Sequence, residues 1–188
     1  MGTRNLTMVQ LDNEIKIAQY GQWDGYPTGV GQDCVKFIKD KLSLLEDQIK
    51  FKSELNKLRK ATEEEIKILE DSEDFKLIAP WLSRNVGSEI LDLIFDGKVH
   101  YLCGNSNSFN FGFDSLFCEW AWFLNLDNKT LEVYKGFNKE KLSENDRFFK
   151  EDPDEEYYGC NLIKTYPFSN LTLDTMSELE KEAYADED

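Results

Sequence analysis

The sequence predicts an α+β fold: an antiparallel-rich sheet, made of an N-terminal hairpin and a second hairpin in the C-terminal half, covered by helices from the middle of the chain. Three observations carry this. Residues 5–20 and 119–135 alternate with the period of two expected of strands, each stretch interrupted by an Asp-Asn pair. Between them, residues 32–69 repeat apolar side chains at spacings of three and four. The 188 residues are 40% hydrophobic and 13% aromatic, enough to build a packed core in one domain.

The first hairpin sets Leu6 and Met8 against Asn5, Thr7 and Val9, and Ile15 and Ile17 against Lys16 and Ala18. Asp12-Asn13 tolerates the backbone of the tight turn between the strands. Residues 21–31 hold four glycines and one proline, which rule out a regular helix. From Gln32 a helix is expected with Cys34, Val35, Ile38, Leu42, Leu45 and Ile49 on one face, extended by Phe51, Leu55 and Leu58. Thr62 and Glu65 form a capping-box pattern opening the next helix, with Ile66 and Leu69 on its apolar side. Pro80 interrupts, a short helix fits 88–95, and Gly97 stops it. Residues 99–103 are a candidate strand. The stretch 119–126 is apolar on both faces, which places it at the sheet centre, paired through Asp127-Asn128 with 130–135. Residues 138–158 read as a solvated loop with an acidic run at 151–156, residues 161–168 as a last strand and 174–184 as a short helix. Residues 1–184 form the expected domain, and 185–188 an acidic tail.

Net charge is −15. Such a surface repels a phosphate backbone, and no dense Lys/Arg cluster offsets it, so duplex nucleic acid is not an expected partner. The same acidity suits a basic protein partner. No apolar run approaches membrane-spanning length. The start lacks the basic-then-apolar layout of a secretory signal, and Leu6 stands where a myristoylation signal wants Ser or Thr, so a cytoplasmic location without a membrane partner is expected. Cys34, Cys103, Cys118 and Cys160 are scattered, and with His100 the lone histidine there is no zinc set; buried free thiols, no metal and no cofactor are expected. The apolar positions of 32–69 would also serve a homo-oligomer, although packing within the chain explains them equally.

Chemistry concentrates in residues 20–32. Trp23 and Tyr26 can stack on a base, Asp24 can accept from a sugar hydroxyl or base amine, and Tyr20, Gln22, Thr28 and Gln32 add polar groups. Gly29 and Gly31 permit close backbone approach just before a helix start, where unpaired N–H groups suit a phosphate, and Arg4 on the neighbouring strand can pair an anion. The expected ligand is nucleotide-like. A purely structural role stands beside this: Trp23 and Tyr26 as core, Asp24-Gly25 as a turn, Pro27 setting the chain for the helix. The glycine spacing matches neither a phosphate loop nor a dinucleotide fingerprint.

Met1-Gly2-Thr3-Arg4, then Gln19-Tyr20, Gln22-Trp23-Asp24-Gly25-Tyr26-Pro27, Gly29 and Gly31, resemble a widespread group of small uncharacterised proteins of bacteriophages, prophages and bacteria. Cys118-Glu119-Trp120-Ala121-Trp122 and Leu126-Asp127-Asn128, with Leu131-Glu132-Val133-Tyr134, are similar to the second hairpin of that group. The resemblance covers about two thirds of the chain in separated blocks. It implies a phage or mobile-element origin, the host cytoplasm, and a role in host takeover or counter-defence; it brings no activity. The expected function is therefore a pocket protein that sequesters a host immune signal. An acidic inhibitor mimicking nucleic acid is the second expectation. A nucleotide-acting hydrolase or transferase using Asp24 or Glu119 is the third, and no nucleophile, metal set or phosphate loop favours it over a binder.

Overall fold

The strands of the two hairpins are fixed by their turns. Asp12 and Asn13 both take positive φ, 56° and 59°, the conformation that lets two residues join right-twisted strands. They connect β1 (Asn5–Leu11) to β2 (Glu14–Gly21). Likewise β3 (Trp120–Asn125) and β4 (Thr130–Lys135) pair antiparallel, and β5 (Asn161–Pro167) adds to β4. The computed structural model describes residues 2–185, apart from the side chain of Phe75. Met1 and residues 186–188 of the expected acidic tail lie outside the described residues.

The five strands form one sheet in the order β2-β1-β3-β4-β5. It is antiparallel except at its middle, where β1 runs parallel to β3. The central position expected for β3 holds, with every residue of that strand buried.

The helices are α1 (Gln32–Lys41), α2 (Leu45–Lys57), α3 (Glu63–Asp71), α4 (Phe75–Ile78), α5 (Ile90–Phe95) and α6 (Thr175–Tyr184). Val35, Ile38, Phe51, Leu55 and Ile94 join Val9, Trp122, Leu124 and Val133 in the larger core cluster, on one sheet face. Among the described residues the opposite face carries no α-helix, only the short 3-10 turn Phe109–Phe113. There Leu6, Met8, Ala121, Phe123 and Tyr134 are covered by the connections before and after the second hairpin, through Phe109, Phe111, Phe113 and Phe148.

Three expectations are corrected. The helix from Gln32 breaks after Leu42, so Leu45 and Ile49 turn outward, at 72% and 60% exposure, while Phe51 and Leu55 face the core. Residues 99–103 do not join the sheet: Leu102 makes an isolated bridge to Lys60, and Val99 and Tyr101 are buried beneath the helices instead. The loop 138–158 is not wholly solvated, because Phe148 is fully buried, with its ring 5.1 Å from that of Tyr134. The capping box at Thr62 and Glu65 forms as expected, and Arg59 adds a two-pronged bond to Glu65, holding its carboxyl down at about 2.

Candidate functional site

Strand β2 ends at Gly21, and the chain then passes beneath the loop that precedes α5. Gln22 N–H donates to the Arg84 carbonyl at 2.9 Å, and Trp23 Nε1–H donates to Asn85 Oδ1 at 3.0 Å. These bonds make one wall. The other is the polar stripe of α1, where Asp33, Lys36, Asp40 and Lys41 recur at helical spacing. Between the walls lies a cleft of about 430 Å³, lined also by Ser88, Glu89 and Asp92. Ser88 Oγ donates to Asp33 Oδ2 at 3.3 Å, and Lys36 lies 3.7 Å from Asp33 Oδ1.

The cleft is acidic: Asp24, Asp33, Asp40, Glu89 and Asp92 line it against Lys36 and Lys41. Burial raises the Asp92 carboxyl above its ordinary value; Lys41 opposes this, and Asp96, Asp33 and Asp40 reinforce it. Such walls accept hydrogen bonds from hydroxyl and amino groups. The carboxylates do not converge: among the described residues no group of three or more His, Cys, Asp or Glu is placed to hold a metal ion.

Of the residues expected from the sequence, Gln22, Trp23 and Asp24 line the cleft. Trp23 is not core; it stands 50% exposed. The others serve elsewhere. Arg4 donates its N–H to Glu119 Oε1 at 3.1 Å, pairs with it through Nε at 3.6 Å, and lies over the Phe117 ring. Tyr20 packs edge-on against Phe111 and donates its hydroxyl to Gln22 Oε1 at 2.7 Å. Tyr26 OH reaches Asp24 Oδ1 at 3.4 Å, and that carboxylate raises the phenol.

The glycine-rich turn offers no open amide cradle. Thr28 N–H donates to Glu180 Oε2 of α6 at 2.7 Å, Val30 N–H to the Asp24 carbonyl, Gly29 and Gly31 N–H to the Tyr26 carbonyl, and Gln32 N–H to the Gly29 carbonyl. Its glycines answer to packing. A Cβ on Gly29 would lie 2.1 Å from the Asp24 carbonyl oxygen, and one on Gly31 would lie 2.5 Å from the Trp122 indole. The phosphate position expected there is therefore filled by the protein's own groups.

Sequence reasoning missed Asp33, Lys36, Asp40 and Lys41, although they form the complement of the apolar face read for α1. It also missed a network on the opposite sheet face, beside a second cavity of about 330 Å³. There Glu132 Oε2 accepts from Tyr134 OH at 2.7 Å and Arg147 Nη2 at 3.0 Å. The guanidinium lies 3.6 Å from the Phe123 ring centre, and burial pushes the Tyr134 phenol up. Cys34, at the start of α1, is fully buried and its thiol is raised by that burial, so it is not an activated nucleophile. No helix among the described residues is long and apolar enough to cross a membrane. Neither the protein-family models, nor the curated proteins, nor the solved structures contain a match to this chain.

Proposed function

We propose that this protein binds a small nucleotide-like ligand in the cleft beside Trp23. The observation that carries the reading is an exposed indole held in place by Asn85 at the edge of a polar cleft. An aromatic face kept in water is expensive in apolar surface and suits stacking of a base, and the volume falls within the range of about 300–1,000 Å³ for small-molecule sites. Asp24 and Asp33 are suited to sugar hydroxyls. Lys36 and Lys41 are the cations of the lining, outnumbered there by five carboxylates, so the cleft suits the base and sugar of such a ligand better than its phosphate. The resemblance to phage proteins supplies the biological side: retention of a host immune signal during counter-defence.

The test is mass spectrometry of small molecules released by heat from protein incubated with extract of infected, defence-active cells. An intact nucleotide near one per chain, lost in Trp23→Ala, supports retention. A chemically altered nucleotide in solution points to an enzyme. Retention unchanged in a folded Trp23→Ala removes this reading.

A second reading, an acidic inhibitor of a basic protein, is favoured by α3 and α4. Helix α3 buries none of its residues, and Ile66, Ile68, Leu77 and Ile78 stand exposed among the carboxylates of residues 63–74. Capture of a basic protein that weakens steeply with salt supports it, and salt-independent capture counts against it.

A further inference from the structure

Among the described residues, four buried side-chain oxygens have no hydrogen-bond partner in the protein, and three of them share one patch: Asn5 Oδ1, Thr7 Oγ1 and Gln19 Oε1. The strand register explains their meeting. Asn5 and Thr7 alternate on β1, and Gly21 and Gln19 stand opposite them on β2. The period of two puts all four on the face that carries Val9 and Ile17, toward the helices. Asn5, Thr7 and Gln19 are each fully buried. Strand β3 flanks them with Trp120 and Trp122, and the Trp122 Nε1–H is taken by the Gly25 carbonyl.

The amide orientations are set by what their nitrogens do. Asn5 Nδ2 donates to the Trp23 carbonyl at 3.1 Å and the Thr3 carbonyl at 3.4 Å, and Gln19 Nε2 donates to the Tyr20 carbonyl at 2.9 Å. Their oxygens are thereby left as acceptors, with the Thr7 hydroxyl beside them. Buried polar groups are nearly always paired, so the two unpaired amide oxygens ask for a donor from outside the chain, and the Thr7 hydroxyl, which can give or accept, for a partner beside it.

The patch adjoins the cleft. Gly21 belongs to both: it lines the cleft, and a Cβ placed on it would lie 2.5 Å from Asn5 Oδ1. Across from it stands Gly87, also a cleft residue, where an added Cβ would meet only the Gly21 Cα, at 3.8 Å. Asn5, Thr7 and Gln19 do not themselves line the cleft; Gly21, packed directly on the Asn5 amide, is the residue that joins the patch to it.

We propose that Asn5, Thr7 and Gln19 form the inner subsite of the cleft and read a hydrogen-bond-donating amine of the ligand, discriminating it from a carbonyl at the same position. The inference rests on the nucleotide-like reading above. An amine gives protons to the Asn5 and Gln19 oxygens, whereas a carbonyl sets lone pair against lone pair in a buried place. For nucleobases, the subsite selects the amino member of each amino/oxo pair.

The experiment is calorimetric titration of the full chain with adenosine and inosine, and with cytidine and uridine, for the wild type and for Thr7→Val, Gln19→Leu and Trp23→Ala. The amino member of at least one pair is expected to bind at least about tenfold more tightly than its oxo partner. That preference should collapse in Thr7→Val and Gln19→Leu; the melting temperature of Thr7→Val should match or exceed the wild type because an unpaired buried group has been removed, whereas Gln19→Leu also loses the bond to the Tyr20 carbonyl and should melt a few degrees lower at most. Equal affinities within both pairs overturn the subsite while leaving the cleft in place, as does a preference that survives both variants. Binding of none of the four, or affinities unmoved by Trp23→Ala, removes the cleft reading and the subsite with it.

Discussion

Replacing Gly31 by alanine separates a glycine kept for a ligand from one kept for packing. Gly31 has φ −57° and ψ −46°, right-handed helical values that alanine adopts freely. On the backbone alone, the substitution at the edge of α1 should stabilise by about 1 kcal/mol. The packing opposes this. The new methyl would lie 2.5, 2.8 and 2.9 Å from three atoms of the Trp122 ring. That indole is fully buried, and its Nε1–H donates to the Gly25 carbonyl at 2.9 Å, so it cannot swing away without losing the bond. Overpacking costs about 1–3 kcal/mol and a weakened buried hydrogen bond about 1 kcal/mol, so the net expectation is a loss of about 1–3 kcal/mol. For 188 residues this corresponds to a melting temperature lower by about 3–8 °C. Reversible thermal unfolding followed by far-UV circular dichroism, without added ligand, measures it. An unchanged or raised melting temperature refutes the packing argument. In a double-mutant cycle with Trp122→Phe, the pair should cost less than the sum of the single changes by more than about 1 kcal/mol.

Trp23→Ala removes one exposed hydrogen bond and a half-exposed ring, so stability should shift by no more than about 1 kcal/mol while nucleotide retention falls roughly tenfold or more; unfolding and retention assays on one preparation check both. Glu132→Ala leaves the Arg147 charge over Phe123 without its carboxylate, holding only its Nε–H bond to the Tyr134 hydroxyl, which itself loses its acceptor; it should cost about 2–4 kcal/mol by urea denaturation, the partial exposure of Arg147 holding it below a fully buried pair. A loss below about 0.5 kcal/mol would mean that the network is not coupled to the fold. Asp127 accepts from Asn13 N–H, Gln10 Nε2 and Asp12 N–H, bonds that hold its carboxyl below the ordinary 3.8. A depressed carboxylate stabilises the fold above its unfolded value and loses that contribution as pH falls through its folded one. Asp127 is exposed, so solvent screening should hold the cost of Asp127→Ala at neutral pH to roughly 0.5 kcal/mol, with the gap to wild type narrowing as pH drops below 3.8. A gap constant with pH would mean the charge is immaterial.

The hairpins, their turns and the capping box were legible because each is set by neighbours in sequence. Asp12-Asn13 needs nothing distant to form its turn. Long-range facts were not legible in this way. The parallel pairing of β1 with β3 joins Asn5 to Trp120, and nothing in either strand announces it. The outward turn of Leu45 and Ile49 follows from a break after Leu42 that carries no glycine or proline. At the site, Trp23 and Asp24 were found by residue type, but the fate of the glycine turn depended on Glu180, some 150 residues away in sequence. The burial of Asn5, Thr7 and Gln19 was not legible either, since polar alternation normally means solvent.

The parallel contact at the middle of the sheet also bears on the order of assembly during synthesis. The first hairpin can close as soon as Gly21 has left the ribosome, but the inner edge of β1 meets its partner only when Asn125 has followed. At about 5–20 residues per second, that interval is roughly 5–20 s. Throughout it, a strand bearing Leu6, Met8 and Val9 presents unpaired amides and carbonyls to the cell, so the nascent chain is exposed to edge-to-edge association for seconds before its own centre arrives to cover it.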